Sequence, residues 1–149
     1  MKKEKNRRFR FLNVELDIID YDRLYKHVDA WISNKKGRSH HVAVINAYCV
    51  TMALKNQKIA DIYNKADIAG PDGMPFLYWM RLFSWQKCDK IDAANVFEKL
   101  AERSKKKKYT FYLYGGHPDT LKNMEKKAKE MFPHINIVGS FSPPFRQLT

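Results

Sequence analysis

Residues Tyr109–Tyr114 read Tyr-Thr-Phe-Tyr-Leu-Tyr, break at Gly115-Gly116, and give way at Pro118 to a helical stripe of Leu121, Met124, Ala128 and Met131 running to Phe132. A β-rich run, a glycine turn and an amphipathic helix, in that order, make a βα unit. The same alternation runs through the rest of the chain. Phe9 to Ile19 alternates apolar and polar residues around Phe11, Val14 and Leu16 and predicts one early strand. Tyr21 to Asn34 sets Leu24, Tyr25, Val28 and Trp31 on one helical face, with Asp20 or Asp22 at the N-cap and Lys35-Lys36-Gly37 as the stop. His41 to Ile45 is a β-branched strand that ends at Asn46, and Ala47 to Asn64 is helical, in one piece or two. A short strand ends before Asp72, an apolar helix covers Met74 to Phe83, and Ile91 to Lys105 is a helix with Val96, Phe97, Leu100 and Ala101 inward. Ile135 to Val138 is the last strand, and Ser142-Pro143-Pro144-Phe145 is a loop. Strands alternating with helices imply parallel βαβ units. The expected fold class is therefore α/β, with Rossmann-like β/α units and a mainly parallel sheet. Tyr109–Tyr114 is its expected central strand, with the aromatic rings in the core. A basic tail over residues 1–8 and a single α/β domain over 9–149 is the expected organisation.

Composition narrows the class of protein. A hydrophobic fraction of 44%, 13% of residues aromatic, excludes disorder for most of the chain. No apolar run approaches the roughly 20 residues needed to cross a bilayer, and the basic N-terminus lacks the apolar h-region of a secretory signal. Cys49 and Cys88 have no metal-like spacing and are expected to be buried thiols in a reducing cytoplasm. The net charge of +12 is concentrated in Lys2 to Arg10 and in Lys105–Lys108. Such clusters suit anionic lipid, nucleic-acid phosphates, or simply a solvated basic face.

Two stretches carry chemistry. In Ala66–Pro75, a short apolar piece (Ile68, Ala69) meets Gly70-Pro71, and Asp72-Gly73 opens the next helix. A strand that ends this way in an open α/β sheet delivers its last polar side chain to the ligand crevice, so Asp72 is a candidate general base. Pro-Asp-Gly is also an ordinary turn sequence. In Tyr114–Asp119, Gly115 and Gly116 precede a helix that starts at Pro118, a turn whose N–H groups favour an anion such as a diphosphate. It has neither GxGxxG nor GK[ST] spacing, and a plain tight turn fits it equally.

Taken in order, Asn46-Ala47, Ala66-Asp67, Pro71-Asp72-Gly73-Met74, Gly115-Gly116-His117-Pro118, Ile137-Val138-Gly139 and Ser142–Phe145 resemble the WecG/TagA/CpsF glycosyltransferases, over nearly the whole chain after its basic start. The resemblance implies an inverting, metal-independent transfer, without cofactor, of an N-acetylmannosamine-type sugar from a UDP donor. The acceptor it implies is a polyprenyl-diphosphate-linked amino sugar in surface-polysaccharide (teichoic acid-like) biosynthesis. Asp72 matches the family's catalytic base. Asn46 matches a substrate-contacting Asn, an N-cap role for it standing equally open. Gly115 and Gly116 match the turn near the nucleotide. Lys90 and Asn95 stand where the family usually has Arg and Asp, so the charge at Lys90 survives without the bidentate fork of Arg, and Val44 stands where a Thr is common. Asp92, close to Lys90, is a helix N-cap or a partial substitute for the missing carboxylate.

The family's chains continue past Ser142–Phe145 into further β/α units and a basic appendage, whereas this sequence ends at Thr149. The fold is therefore expected to be incomplete on its C-terminal side, with the crevice open, and an uncovered sheet edge invites a homo-oligomer. The expected location is cytoplasmic, peripheral on the inner face of the plasma membrane, with an anionic membrane surface as partner and no nucleic acid. Two alternatives stand beside this reading: a non-catalytic sugar-nucleotide-binding remnant of the family, and a basic nucleic-acid-binding protein.

Overall fold

A computed structural model describes residues 7–34 and 37–144. Lys2, Lys3 and Lys5 of the basic cluster, the Lys35-Lys36 helix stop and Phe145 lie outside the described residues. The chain is α/β and divides into two compact units between Val96 and Phe97.

The first unit opens with a hairpin. Strands β1 (Arg8–Phe11) and β2 (Val14–Asp17) pair antiparallel, with Phe9 opposite Leu16 and Phe11 opposite Val14. The single strand expected over Phe9–Ile19 is thus two. The turn escaped notice because its first residue is Leu12, held in the left-handed region at φ 56°, where a glycine would ordinarily announce it.

Helix α1 (Tyr21–Ser33) begins where Asp20 accepts from the Arg23 N–H at 2.9 Å. It leads to β3 (Val42–Ile45), then α2 (Ala47–Lys55), α3 (Gln57–Asn64) and β4 (Ile68–Pro71). Asn56 divides α2 from α3 because its extended backbone (φ −144°) closes one helix while its side chain caps the next through the Lys58 N–H. β3 and β4 pair parallel, with Ile45 beside Pro71, which the helical crossover between them permits.

A buried carboxylate fastens the hairpin to this pair. Asp17, 2% exposed, accepts from the Ala69 N–H at 2.7 Å and lies 3.4 Å from Arg8 Nε. The other Arg8 nitrogens donate to the Asn64 and Ala66 carbonyls at 2.6 Å each. Arg8, counted with the basic cluster from sequence, therefore serves the interior of the fold. Val14, Leu16, Ala43, Ile45, Ala69 and Met80 form the core around this junction. Cys88 lies there too, fully buried, and burial pushes its thiol up; Cys49, expected buried, is only half-buried.

Gly70 is required for clearance. A Cβ there would meet Ile91 Cβ at 2.9 Å, because the segment before the next helix returns along β4 and the Ile91 N–H donates to the Pro71 carbonyl at 2.8 Å. Gly70→Ala should lower unfolding stability by about 1 to 3 kcal/mol, the range for overpacking a tight core. Urea titration reads it.

Just before β4, Asp67 accepts from the His41 N–H at 3.0 Å and pairs with Arg38 and His40, whose ring stacks on Trp31 at 4.3 Å. Burial raises the Asp67 carboxyl, but the His41 N–H, Arg38 and His40 outweigh it and hold the group at about 2. The folded value lies below the ordinary 3.8, so Asp67 stabilises the fold above that pH and ceases to as pH falls from 3.8 toward 2. After allowance for solvent screening, Asp67→Asn should remove about 1 to 2 kcal/mol of stability at neutral pH and almost none near pH 2. Denaturant titrations at both pH values would measure that difference.

Helix α4 (Met74–Ser84) is apolar on two sides. Phe76, Leu77 and Met80 are buried, whereas Tyr78, Trp79, Leu82 and Phe83 are exposed. It stops at Trp85, left-handed at φ 54° and 93% exposed.

Helix α5 (Ala93–Lys107) begins in the first unit and lies mostly in the second. There β5 (Thr110–Tyr114), α6 (Pro118–Met131) and β6 (Asn136–Phe141) form another parallel βαβ unit, with a bulge between Phe111 and Tyr112. Ala101, Ala128 and Ile135 make its core with Phe97, Phe111, Phe132 and Ile137. The expectation that the strand aromatics fill a core holds for Tyr109 and Phe111 and is corrected for Tyr112 and Tyr114. Strand side chains alternate between faces, so Leu113 is buried while Tyr112 and Tyr114 are exposed. Met124 and Met131, on the same helical stripe as the buried Leu121 and Ala128, are also exposed on α6.

Candidate functional site

β3 and β4 end side by side. The Asp72 N–H donates to the Ile45 carbonyl at 2.8 Å, extending the parallel ladder by one bond. That bond sets Asp72, just after β4, level with Asn46, just after β3, at the carboxyl edge where α/β sheets bind ligands. Both residues line a cleft of about 520 Å³. The hairpin contributes Phe11 and Leu12, α2 contributes Tyr48, Val50, Thr51 and Leu54, and the start of α4 contributes Gly73, Pro75 and Phe76.

Asp72 keeps a quarter of its side-chain surface exposed, and Lys90 Nζ lies 3.8 Å from its Oδ1. A pair this long and this solvated contributes little to stability. It does hold a cation beside a carboxylate that faces the cleft. Gly73, at the N-cap of α4, has no side chain to cap the helix, so the first α4 amides are left without a side-chain partner.

Asn46 is an N-cap that also borders the cleft. Its Oδ1 accepts from the Cys49 N–H at 3.0 Å and so caps α2, while the residue lines the cleft. With Oδ1 engaged, its NH₂ is the group left to offer a ligand. Asn95 is exposed in the first turn of α5, where its N–H donates to Asp92 Oδ1 at 3.0 Å and its side chain bonds the other Asp92 oxygen. Asp92 thus acts as a helix cap, and Asn95 is not among the residues lining the cleft.

Gly115 and Gly116 belong to the second unit. Their φ values of +100° and +75° demand glycine, and a Cβ at either would meet nothing within 4 Å, so conformation rather than clearance selects them. The turn is tied down by the Gly115 N–H to the Phe141 carbonyl at 2.9 Å and by Ser142 Oγ to the Gly116 carbonyl at 2.6 Å.

Sequence reading missed Tyr48, Thr51, Phe11 and Leu12 as cleft residues. Tyr48 and Thr51 are three apart on the helix that Asn46 caps, hence on one face of it, and that spacing could have found them. Phe11 and Leu12 became visible only with the hairpin.

Comparison with known proteins matches residues 9–149 to the Glycosyl transferase WecG/TagA/CpsF family. A curated relative from Bacillus subtilis (strain 168), named N-acetylglucosaminyldiphosphoundecaprenol N-acetyl-beta-D-mannosaminyltransferase, is 29% identical over 121 residues. The match covers 81% of this chain and 44% of the relative, so this chain spans about half the length of that protein.

Proposed function

The chain belongs to the WecG/TagA/CpsF glycosyltransferase family, and from that membership we propose that it transfers an N-acetylmannosamine-type sugar from a UDP donor to a polyprenyl-diphosphate-linked amino sugar. The observation that carries the proposal is the cleft in which Asp72 and Asn46 meet at the ends of two parallel strands. In the proposed step, Asp72 takes the proton of the acceptor hydroxyl as that oxygen attacks the anomeric carbon. The new C–O bond forms as the bond to the diphosphate breaks, and UDP leaves with the electron pair. Attack opposite the leaving group inverts the anomeric centre. Lys90 would meet the negative charge developing on the diphosphate, and the Asn46 NH₂ would orient the sugar. The Gly115–Gly116 turn, ahead of the helix that opens at Pro118, is proposed as a nucleotide contact, and Asn95 as a contact made once a ligand draws it from Asp92. The work of the enzyme would be done at the inner face of the plasma membrane, in the assembly of a surface polysaccharide.

Two measurements test this. Incubation with UDP-N-acetylmannosamine and a short-chain polyprenyl-diphosphate acceptor should release one UDP per disaccharide formed, with the new linkage inverted by NMR. Hydrolysis without transfer, or retained configuration, would refute the mechanism. Lys90→Ala should weaken UDP binding roughly tenfold, as loss of one charge-assisted contact does, and flatten its dependence on salt. Unchanged affinity in calorimetry would remove Lys90 from the diphosphate.

A further inference from the structure

Apart from Arg81 and Ser84, helix α4 is apolar, and a helix of that kind is ordinarily buried on most sides or set against lipid. Here one stripe (Phe76, Leu77, Met80) packs into the first unit's core, and a second stripe is uncovered: Met74 is 46% exposed, Tyr78 66%, Trp79 49%, Leu82 65% and Phe83 57%. Their spacing of four residues, 74-78-82 and 79-83, aligns them along one side of the helix. Trp79 and Phe83 stack on that side with ring centroids 5.6 Å apart. Just past the helix, Trp85 projects almost fully into solvent. Such a contiguous apolar surface on a soluble fold marks a site of interaction.

Charge selects the partner. α4 contains no carboxylate, and the cations at its C-terminal end, Arg81, Arg23 and Lys87, outnumber the carboxylates beside them, Asp89 and, at 3.5 Å from Arg23, Asp20. Arg81 donates to the Cys88 carbonyl at 3.1 Å and Arg23 to the Lys87 carbonyl at 3.0 Å, so two guanidinium groups converge on a segment that carries Lys87. Two copies of a chain of net charge +12 repel one another, whereas an anionic bilayer attracts it. Tryptophan, tyrosine and phenylalanine beside Arg and Lys are the composition of a helix that lies in a membrane interface. No described helix is long and apolar enough to cross a membrane.

We infer that the exposed stripe of α4 seats this chain on an anionic lipid bilayer, with Met74, Tyr78, Trp79, Leu82 and Phe83 entering the boundary between headgroups and acyl chains. The orientation that follows serves the cleft. Pro75, in the first turn of α4, lines the cleft next to Asp72, so a bilayer against α4 brings the cleft mouth to the depth at which a lipid-linked diphosphate presents its sugar. This consequence rests on the transferase reading above; the seating itself does not.

The test uses the full chain and vesicles of phosphatidylcholine, alone or with phosphatidylglycerol. The chain should sediment with the anionic vesicles, bind neutral ones about tenfold more weakly, and show tryptophan emission shifted to the blue and quenched by brominated acyl chains. Trp79→Gln combined with Leu82→Gln, both at exposed positions outside the cleft, should lose about tenfold in vesicle affinity with the circular dichroism and the UDP titration unchanged. Unquenched tryptophan in the vesicle-bound wild type would overturn the inference without need of any variant. So would wild-type affinity in the double variant, or a dimer in sedimentation velocity that the double variant dissolves. Vesicle binding through α4 by a chain that fails to bind UDP would sink the transferase reading and leave the seating in place.

Discussion

Asp72→Asn should reduce transfer by about 10²- to 10⁴-fold, the range a positioned general base supplies, while leaving UDP affinity within a factor of two or three of wild type. The split follows from geometry. The substitution keeps the shape of the side chain and the backbone bond to the Ile45 carbonyl, so the end of the β3–β4 ladder stays as it is. It removes only the acceptor of the hydroxyl proton. The Lys90 ammonium loses its neighbour at 3.8 Å and becomes freer to meet a diphosphate, which argues against any loss of donor binding. Single-turnover rates with saturating donor, set beside calorimetric UDP affinities, separate the two effects. Full transferase activity in Asp72→Asn would remove Asp72 from the base role.

Asp17→Ala should cost about 3 to 5 kcal/mol of folding stability, enough to leave the chain largely unfolded at room temperature if its total lies at the low end for a domain of this size. Asp17 is almost fully buried, and its two carboxylate oxygens serve different partners, the Ala69 N–H and the Arg8 guanidinium. Truncation strands a buried strand amide and a cation that also holds the Asn64 and Ala66 carbonyls. β1, β2, the end of α3 and β4 all meet there, so their attachment fails together. The urea midpoint measures the loss. Asp17→Asn should recover part of it, because the carboxamide oxygen can still accept the Ala69 N–H. An alanine variant with a wild-type midpoint would contradict this account of the junction.

That junction also shows where sequence reading stops. The helices α1 and α6 were legible because their apolar residues recur at helical spacing between clear signals, Asp20 before one and Pro118 opening the other. The break within 47–64 was foreseen as a second option, and Asn56 realises it by capping one helix while ending another. The hairpin was not legible, since Leu12-Asn13 lacks the glycine that marks most tight turns and the apolar alternation reads straight through it. Missing the hairpin concealed Asp17, whose Ala69 partner lies 52 residues away in sequence. The candidate site was half legible. Asp72 and Asn46 could be placed because each follows a strand, which fixes the sheet edge they share. Tyr48 and Thr51 could have followed from helical spacing, but Phe11 and Leu12 come to the cleft only through tertiary pairing. The exposed stripe of α4 was not legible: the apolar run from Met74 to Phe83 does not show which side packs, and it is core on one side alone.

The most direct test of the central claim, that the cleft at Asp72 belongs to a site for a UDP-sugar, is calorimetric titration of UDP into the 149-residue chain, with ADP and a short oligonucleotide as controls. The account predicts saturable binding of UDP in preference to ADP, weakened by Lys90→Ala and preserved in Asp72→Asn. A chain with native circular dichroism that binds no UDP, or that binds the oligonucleotide in its place, would contradict it.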